Sequence, residues 1–250
     1  MYSLDETVER VSDLGVVKVH KTMKQRCILG FIAGAMISLG YLAYIKIVAT
    51  VDGGLGNVLG ASVFPIGLIV ILLAGGELIT GNMTVVGTSY ANQKVTLKEL
   101  TINWIIITVA NLVGAVFVAL ILGRGELSHY TETVNRLAMG KASYSPMATL
   151  ISGIGCNWFV GLSVWLNVAI KDGAGKIMGI WFPVMVFVLL GFQHSVANMF
   201  LLTAGMQNGV IQFSEFASNI FFSYIGNIIG GAVLVGYLYT HASHAKNHNA

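Results

Sequence analysis

Two long apolar stretches of this chain, at 57–91 and 177–204, are each interrupted near the middle by glycines and polar side chains. The first interruption is Gly-Gly-Glu-Leu-Ile-Thr-Gly-Asn at 75–82, and the second is Gly-Phe-Gln-His-Ser-Val-Ala-Asn-Met-Phe at 191–200. Polar side chains are costly in hydrocarbon, and irregular backbone at membrane depth persists only where protein or a water-filled cavity surrounds it. Both interruptions are therefore expected to meet in the interior of a membrane protein.

The composition indicates a polytopic membrane protein. Of 250 residues, 55% are hydrophobic and only 10% are charged, with a mean hydropathy of +0.76, which is too apolar for a soluble domain of this length. Each apolar stretch is long enough to cross a bilayer core of about 30 Å. The sequence predicts an all-α membrane protein with six transmembrane spans at 27–50, 57–91, 99–122, 146–170, 177–204 and 212–239.

Spans 1–3 and spans 4–6 are expected to form two halves of opposite orientation, an inverted 3+3 repeat with broken helices 2 and 5. The interruptions then occupy corresponding positions, an arrangement that in membrane proteins marks a site near the bilayer midplane. Asn111-Leu-Val-Gly-Ala in span 3 also resembles Asn227-Ile-Ile-Gly-Gly-Ala in span 6. Such short matches are common in membrane helices, so this one does not establish a duplication by itself.

The charged residues predict an orientation. Residues 1–26 contain no apolar signal region, and their apolar residues recur at helical spacing, which predicts an amphipathic helix on the cytoplasmic membrane surface. With the N-terminus in the cytoplasm, ten Lys and Arg residues outside the spans lie inside, and three, Arg124, Arg136 and Lys141, lie outside. Residues 27–239 are then the six-span domain of a multi-pass plasma- or inner-membrane protein, and 240–250 form a cytoplasmic tail.

Several ligand classes are not supported. The basic residues form no stripe with interleaved aromatics, which argues against nucleic acid as a partner. The sequence has no Walker-type loop and no clustered Cys/His ligand set, so we expect no cofactor and no metal, and we interpret the histidines at 241, 244 and 248 as part of the tail. Cys27 and Cys156 fall in or beside apolar segments and imply no disulfide framework.

Four motifs together resemble the formate/nitrite transporter family over about residues 28–239. They are Gly-Glu-Leu-Ile-Thr-Gly-Asn at 76–82, Asn103-Trp104 with Asn111-Leu-Val-Gly, Cys156-Asn-Trp-Phe-Val, and Gly-Phe-Gln-His-Ser-Val-Ala-Asn-Met at 191–199. The resemblance implies an aquaporin-like six-span protomer, assembled as a homopentamer in membrane lipid with one pore in each protomer. It also implies a channel or proton-coupled transporter, and no enzyme, for small monovalent weak-acid anions. Formate is the first candidate, followed by nitrite, hydrosulfide, acetate and lactate.

The resemblance also implies roles for individual residues. Phe64, Leu68, Leu78 and Phe187 match two hydrophobic constrictions, with Thr80 and His194 between them, and Lys141, Asn157 and Asn198 match further pore positions. Without the family, aromatic and Leu pairs at helical spacing would be read as ordinary packing. His194 is the one histidine inside the spans, and a hydrogen-bonded histidine that only braces the broken helix is the alternative reading.

These residues suggest a mechanism. A bare anion would leave water at high cost in a dry apolar constriction, whereas the neutral acid avoids most of that cost. We therefore expect Lys141, in the outer loop before span 4, to attract the anion, which gains a proton from His194 or from water and crosses as the acid. A loop lysine that is merely solvated is the alternative.

Glu77 and Gln193 lie at the two breaks, and we expect both to have structural roles there. Glu77 is expected to cap exposed N–H groups of the first broken helix. Gln193 stands where the family commonly has Glu, and an amide cannot supply the charge that would favour a protonated histidine.

Two other functions remain open from the sequence. One is a neutral-solute pore for water, glycerol or ammonia. The other is an intramembrane hydrolase built on Ser163 and His194, although a serine in an apolar helix usually bonds to its own backbone. The sequence does not select among the candidate anions.

Overall fold

The computed structural model describes residues 1–244, so residues 245–250 of the predicted tail lie outside the described residues. This part of the chain is entirely helical, with π-helical stretches at Val118–Leu122 and Ile229–Tyr237 that continue the preceding helices. The helices are α1 (Leu4–Val19), α2 (Met23–Thr50), α3 (Gly53–Val63), α4 (Ile66–Ala74), α5 (Ile79–Ala91), α6 (Leu97–Phe117), α7 (Arg124–His129), α8 (Thr131–Ala142), α9 (Pro146–Ala169), α10 (Gly173–Leu189), α11 (Ser195–Gln207), α12 (Phe213–Ile228) and α13 (Leu238–His244).

The helices reproduce the predicted spans. Helices α2, α6, α9 and α12, with their π-helical continuations, form spans 1, 3, 4 and 6. Span 2 is divided among α3, α4 and α5, with the predicted break between α4 and α5, and span 5 is divided between α10 and α11. The predicted all-α fold with broken helices 2 and 5 is therefore confirmed.

The half-helices that follow the breaks form the centre of the protein. Every residue from Ile79 to Ser89 in α5 and from Ser195 to Gly205 in α11 is buried. Neither half-helix presents a polar face to solvent, because both are surrounded by the other spans. The backbone at the two breaks is thus enclosed by protein, as the cost of unpaired backbone groups in lipid requires.

A second interruption in span 2, at Phe64 and Pro65, was not predicted. Helix α3 ends at Val63 and α4 begins at Ile66, with the N–H of Gly67 donating to the carbonyl of Phe64 over 3.2 Å. Proline has no N–H to donate and its ring crowds the preceding turn, which ends the first helix here. The interruption fixes the position of Phe64, whose side chain is buried.

Glycines allow the long helices of each half to cross closely. A Cβ on Gly114 of α6 would lie 2.1 Å from the carbonyl oxygen of Phe31 in α2. In the second half, a Cβ on Gly230 would lie 2.3 Å from the carbonyl oxygen of Ile154 in α9. Larger side chains at these crossings would force the helices apart, which is the usual reason for small residues at membrane helix contacts.

Two asparagines join each break to its own half in the same way. Asn111 of α6 donates to the carbonyls of Gly30 and Glu77 and accepts from the N–H of Ile79. Correspondingly, Asn227 donates to the carbonyls of Gly153 and Gln193, over 2.9 and 3.0 Å, and accepts from the N–H of Ser195 over 3.0 Å. This identical pattern confirms the predicted inverted repeat.

A helix precedes the first span of each half. Helix α1 packs Val8 and Val11 near α5, and its Ser12 carbonyl accepts from the Ser89 hydroxyl over 2.6 Å. Residues 124–142, predicted to belong to the outer loop before span 4, form helices α7 and α8. Lys141 therefore lies in a helix rather than in a loop, and α8 occupies the place in the second half that α1 has in the first.

We predict that Asn111→Leu destabilises the protein strongly. The substitution leaves the Glu77 carbonyl and the Ile79 N–H without a partner in the interior, and each such buried group costs about 1–3 kcal/mol. Thermal unfolding of the purified protein in detergent measures the effect. Asn135→Ala is the matched control, because Asn135 accepts a hydrogen bond from Asn208 at the surface. Equal unfolding temperatures for the two variants would contradict this account.

Candidate functional site

The two breaks bring Thr80 and His194 together. Gly75 follows the last residue of α4, and Gly191 lies just beyond the end of α10. Both glycines have positive φ angles, +97° and +69°, which a residue without a Cβ adopts at no steric cost and which end the preceding helix. The chain then turns back so that Thr80 Oγ1 lies 3.1 Å from His194 Nε2. Side chains 114 residues apart in the sequence are thereby joined at the centre of the molecule.

Hydrogen bonding fixes the proton on the His194 ring. His194 is the N-cap of α11, where Nδ1 accepts from the backbone N–H of Ala197 over 3.1 Å. A ring nitrogen that accepts carries no proton, so the neutral ring has its proton on Nε2. Nε2–H therefore points at Thr80, and the ring is 2% exposed. His194 is both the brace of α11 and a hydrogen-bond donor toward the centre.

A cavity of about 380 Å³ opens onto His194. Of the residues expected in the pathway, it collects Lys141, Asn198, Phe64, Phe187 and His194. The remaining described lining residues are Tyr41, Tyr44, Arg136, Leu137, Gly140, Tyr144, Val188, Gly191, Phe192 and Ala197. We call this space the Lys141 cavity.

Aromatic rings form the deep wall of the Lys141 cavity. The rings of Phe64 and Phe187 meet edge to face with centroids 5.9 Å apart, and Tyr41 meets Phe64 in the same manner at 5.6 Å. The His194 ring stacks on Phe187 at 5.8 Å, with an interplanar angle of 16°. All four rings are buried, so a solute that passes them meets an apolar surface with one N–H donor.

A second cavity, of about 160 Å³, lies near the other end of α2. It is lined by Leu68 and Leu78 of the expected constrictions and by Glu77, Lys18 and Lys21. Helix α2 contributes Leu29 to this Lys18 cavity and Tyr44 to the Lys141 cavity, positions separated by about 22 Å of helix. The two cavities share no described lining residue. His194 lines the Lys141 cavity, and Thr80, which lines neither cavity, contacts its ring over 3.1 Å.

Lys141 points its ammonium group at main-chain carbonyls. Its Nζ donates to the carbonyl oxygens of Gly191 and Phe192 over 2.6 and 2.8 Å. Burial lowers the pKa of Lys141 to about 8, which still leaves the ammonium group largely charged at neutral pH. The described residues that line this cavity thus place a partly buried cation in the same cavity as His194, without a carboxylate.

Glu77 lies at the first break, as expected, but its partner is a lysine. Its Oε1 accepts from Lys18 Nζ over 3.0 Å and its Oε2 accepts from Asn82 over 2.8 Å. The start of α5 is instead supported by Asn111, which accepts from the N–H of Ile79. Glu77 thus joins α1 to the break by an ion pair whose carboxylate is 3% exposed.

Asn157 does not line either cavity. Its Nδ2 donates to the carbonyls of Thr80 and Asn227, over 3.2 and 2.6 Å. The side chain lies where α9 contacts the π-helical continuation of α12, and a Cβ on Gly231 would approach its Nδ2 to 2.3 Å. Asn157 therefore supports the backbone of Thr80 and does not line a cavity.

Ser163 and His194 do not form a pair. The Ser163 hydroxyl donates to the carbonyl of Phe159, one turn earlier in its own helix, over 2.9 Å. Within the described residues, the ring nitrogens of His194 contact Thr80 and Ala197 instead. The arrangement that a serine hydrolase needs is not formed here.

The sequence reasoning gave no role to the polar residues that support the site. Asn103 and Asn219 each hydrogen-bond to the asparagine of the facing half-helix, Asn82 or Asn198. A signal was present, because Asn103 and Asn111 have the same spacing as Asn219 and Asn227 in the second half. Lys18 gave no such signal, since nothing in an amphipathic helix distinguishes a buried lysine from an exposed one.

Comparisons with known proteins agree with this geometry. The family model described as Formate/nitrite transporter matches residues 5–241. The chain is 44% identical to the formate channel BtFdhC of Bacillus thuringiensis, over 98% of this chain and 96% of that protein. Its fold matches a structure titled FNT family ion channel with a TM-score of 0.88 at 23% identity, covering 95% of this chain and 98% of the other.

A second solved structure, a pentameric formate channel with formate bound, matches with a TM-score of 0.74 at 25% identity, over 88% of this chain and 97% of the other. The family model spans nearly the whole chain, and the relative from Bacillus thuringiensis covers it with similar completeness. The chain belongs to the formate/nitrite transporter family.

Proposed function

We propose that this protein conducts small monovalent weak-acid anions, with formate as the first substrate, along a pathway from the Lys141 cavity past His194 to the Lys18 cavity. The observation that carries the proposal is the contact of Thr80 with His194 beside the aromatic wall, with a partly buried cation in the same cavity. A relative that is 44% identical is named a formate channel, which supports formate over the other anions.

Capture of the anion is assigned to Lys141. A partly buried ammonium group beside apolar walls produces a stronger field than the same charge in bulk water, so it concentrates anions at the mouth of the pathway. Arg136, which lines the same cavity nearer its exposed rim, adds to this attraction. The cations act on any small anion, so selection by size falls to the aromatic wall.

Passage of the aromatic wall requires loss of charge. A formate ion between the Phe64 and Phe187 rings would lose its hydration with no compensating ion pair, and the neutral acid avoids most of that cost. His194 Nδ1 is occupied by the N–H of Ala197, so charging the ring would break the cap of α11. We therefore assign the proton to water in the Lys141 cavity and give His194 Nε2–H the role of hydrogen-bond donor to the acid.

The assembly and placement follow from the same evidence. We propose a homopentamer, since a matching formate channel structure is pentameric, and each protomer here contains both cavities within itself. We also propose that the protein lies in the plasma or inner membrane with both termini in the cytoplasm, an orientation supported by the excess of Lys and Arg on one side. The Lys141 cavity then faces outward.

Lys141→Ala should weaken formate uptake about tenfold at low substrate concentration, because the field of one partly buried cation is removed from the capture site. Proteoliposome flux assays with formate, nitrite, acetate and lactate, and light-scattering assays with glycerol and water, provide the measurement. The order of preference among the anions should persist, since the aromatic wall is unchanged.

Arg124→Ala is the control for Lys141→Ala, because Arg124 begins the short helix α7 and does not line the Lys141 cavity. Equal losses in the two variants would remove Lys141 from capture. Glycerol flux as fast as formate flux would replace the proposed function by a neutral-solute pore.

His194→Asn should retain formate uptake and its rise with falling pH, whereas His194→Phe should lose uptake. An asparagine oxygen accepts the N–H of Ala197 as a good N-cap, and its amide replaces the donor toward Thr80, while phenylalanine does neither. Uptake by proteoliposomes between pH 5 and pH 8 measures both effects, with unfolding temperatures as the control for folding. Loss of the pH dependence in His194→Asn would show that the histidine supplies the proton.

A further inference from the structure

Each half of the protein contains a lysine at the end of its preceding helix, held by the same asparagine contact. The carbonyl of Lys18 in α1 accepts from Asn103 Nδ2 over 3.4 Å, and the carbonyl of Lys141 in α8 accepts from Asn219 Nδ2 over 2.9 Å. The inverted repeat thus makes Lys18 and Lys141 equivalent positions. They line the two cavities at opposite ends of the pathway.

Glu77 and Gln193 are also equivalent. Asn82 Nδ2 donates to Glu77 Oε2 and to Asn103 Oδ1, over 2.8 and 3.0 Å. Asn198 Nδ2 donates to Gln193 Oε1 and to Asn219 Oδ1, over 2.6 and 2.7 Å. Glu77 Oε2 in the first half and Gln193 Oε1 in the second half therefore accept the equivalent hydrogen bond from an asparagine.

The remaining terminal atom of each side chain differs. Glu77 presents its second oxygen, Oε1, which accepts from Lys18 at 3.0 Å and lies 3.8 Å from Lys21. Gln193 presents Nε2, which donates to the Lys141 carbonyl over 3.3 Å. An amide N–H group cannot accept from an ammonium group, so Lys141 turns to main-chain carbonyls instead.

The substitution of one atom changes the charge of one cavity. Lys18 and Glu77 form a nearly neutral pair, with side chains 11% and 3% exposed, so the Lys18 cavity retains the charge of Lys21 alone. Lys141 and Arg136 line the other cavity, and its described lining residues include no carboxylate. The two cavities, whose lysines are equivalent, therefore attract anions unequally.

We propose that Gln193 is a specificity-determining residue that leaves Lys141 uncompensated, so that anions bind more tightly from the Lys141 side than from the Lys18 side. This inference rests on the proposed transport of anions. Gln193 acts through the charge of Lys141 and has no contact with the solute in this assignment. In a passive pathway the ratio of maximal rate to half-saturating concentration is equal from both sides. The side with the lower half-saturating concentration therefore also has a proportionally lower maximal rate, and the asymmetry is measured as the difference in half-saturating concentration.

The test is the ratio of half-saturating formate concentrations, Lys18 side over Lys141 side. Proteoliposomes are prepared with the protein orientation determined by protease access to an N-terminal tag, and unidirectional formate flux is measured at equal pH and zero potential. The wild-type ratio should be about ten, the effect of one extra charge in a focused field. Gln193→Glu should bring the ratio near one by neutralising Lys141.

Glu77→Gln is the matched variant, since it gives the first half the same side chains that the second half already tolerates. It should lower the half-saturating concentration on the Lys18 side and also bring the ratio near one. The exchange Glu77→Gln with Gln193→Glu should invert the ratio. High salt should reduce the wild-type ratio, because screening weakens charge but leaves structure intact.

The outcomes separate this inference from the proposed function. Absence of formate flux in the wild type would overturn both. Formate flux with a ratio near one in the wild type, or a ratio that Gln193→Glu and the exchange leave unchanged, would overturn the role of Gln193 alone. Unfolding temperatures show which variants fold, and either single variant is sufficient for the test.

Discussion

Two buried asparagine side chains, Asn111 and Asn227, hold this structure together at its weakest points. A break in a membrane helix exposes carbonyl and N–H groups that lipid cannot satisfy. Each asparagine supplies two donors and one acceptor to the groups at its break and to the helix that crosses it. The close helix crossings at Gly114 and Gly230 bring these amides within reach. Without these hydrogen bonds, backbone groups at the two breaks would be unpaired in the protein interior.

The breaks in turn create the site. Half-helices α5 and α11 begin at the centre of the protein, so the side chains near their first residues face each other instead of lipid. His194 caps one of them and reaches Thr80 of the other with its remaining ring nitrogen. His194 lines the Lys141 cavity beside the aromatic wall, and the Lys18 cavity lies toward the other end of α2. The hydrogen bonds that satisfy the backbone at a break thus also place the polar contact of Thr80 with His194 next to an apolar wall.

The sequence predicted the number of spans, the two breaks and the inverted halves, because hydropathy and helix interruption are local properties. Through resemblance to a family, it also identified five of the residues that line the Lys141 cavity, namely Phe64, Lys141, Phe187, His194 and Asn198. It did not predict that Asn157 lies behind Thr80, that Glu77 pairs with Lys18, or that Lys141 belongs to a helix. Those features depend on how α1, α8 and α9 pack on the breaks. Contacts between residues far apart in the sequence leave no periodic signal.

The central claim is that the solute crosses the aromatic wall as a neutral acid. The most direct test is simultaneous measurement of formate uptake, proton uptake and charge movement in proteoliposomes whose membrane potential is set with potassium and valinomycin. The account predicts one proton taken up with each formate, no net current, and an uptake rate that does not change with voltage. A formate current that follows voltage without proton uptake would contradict it.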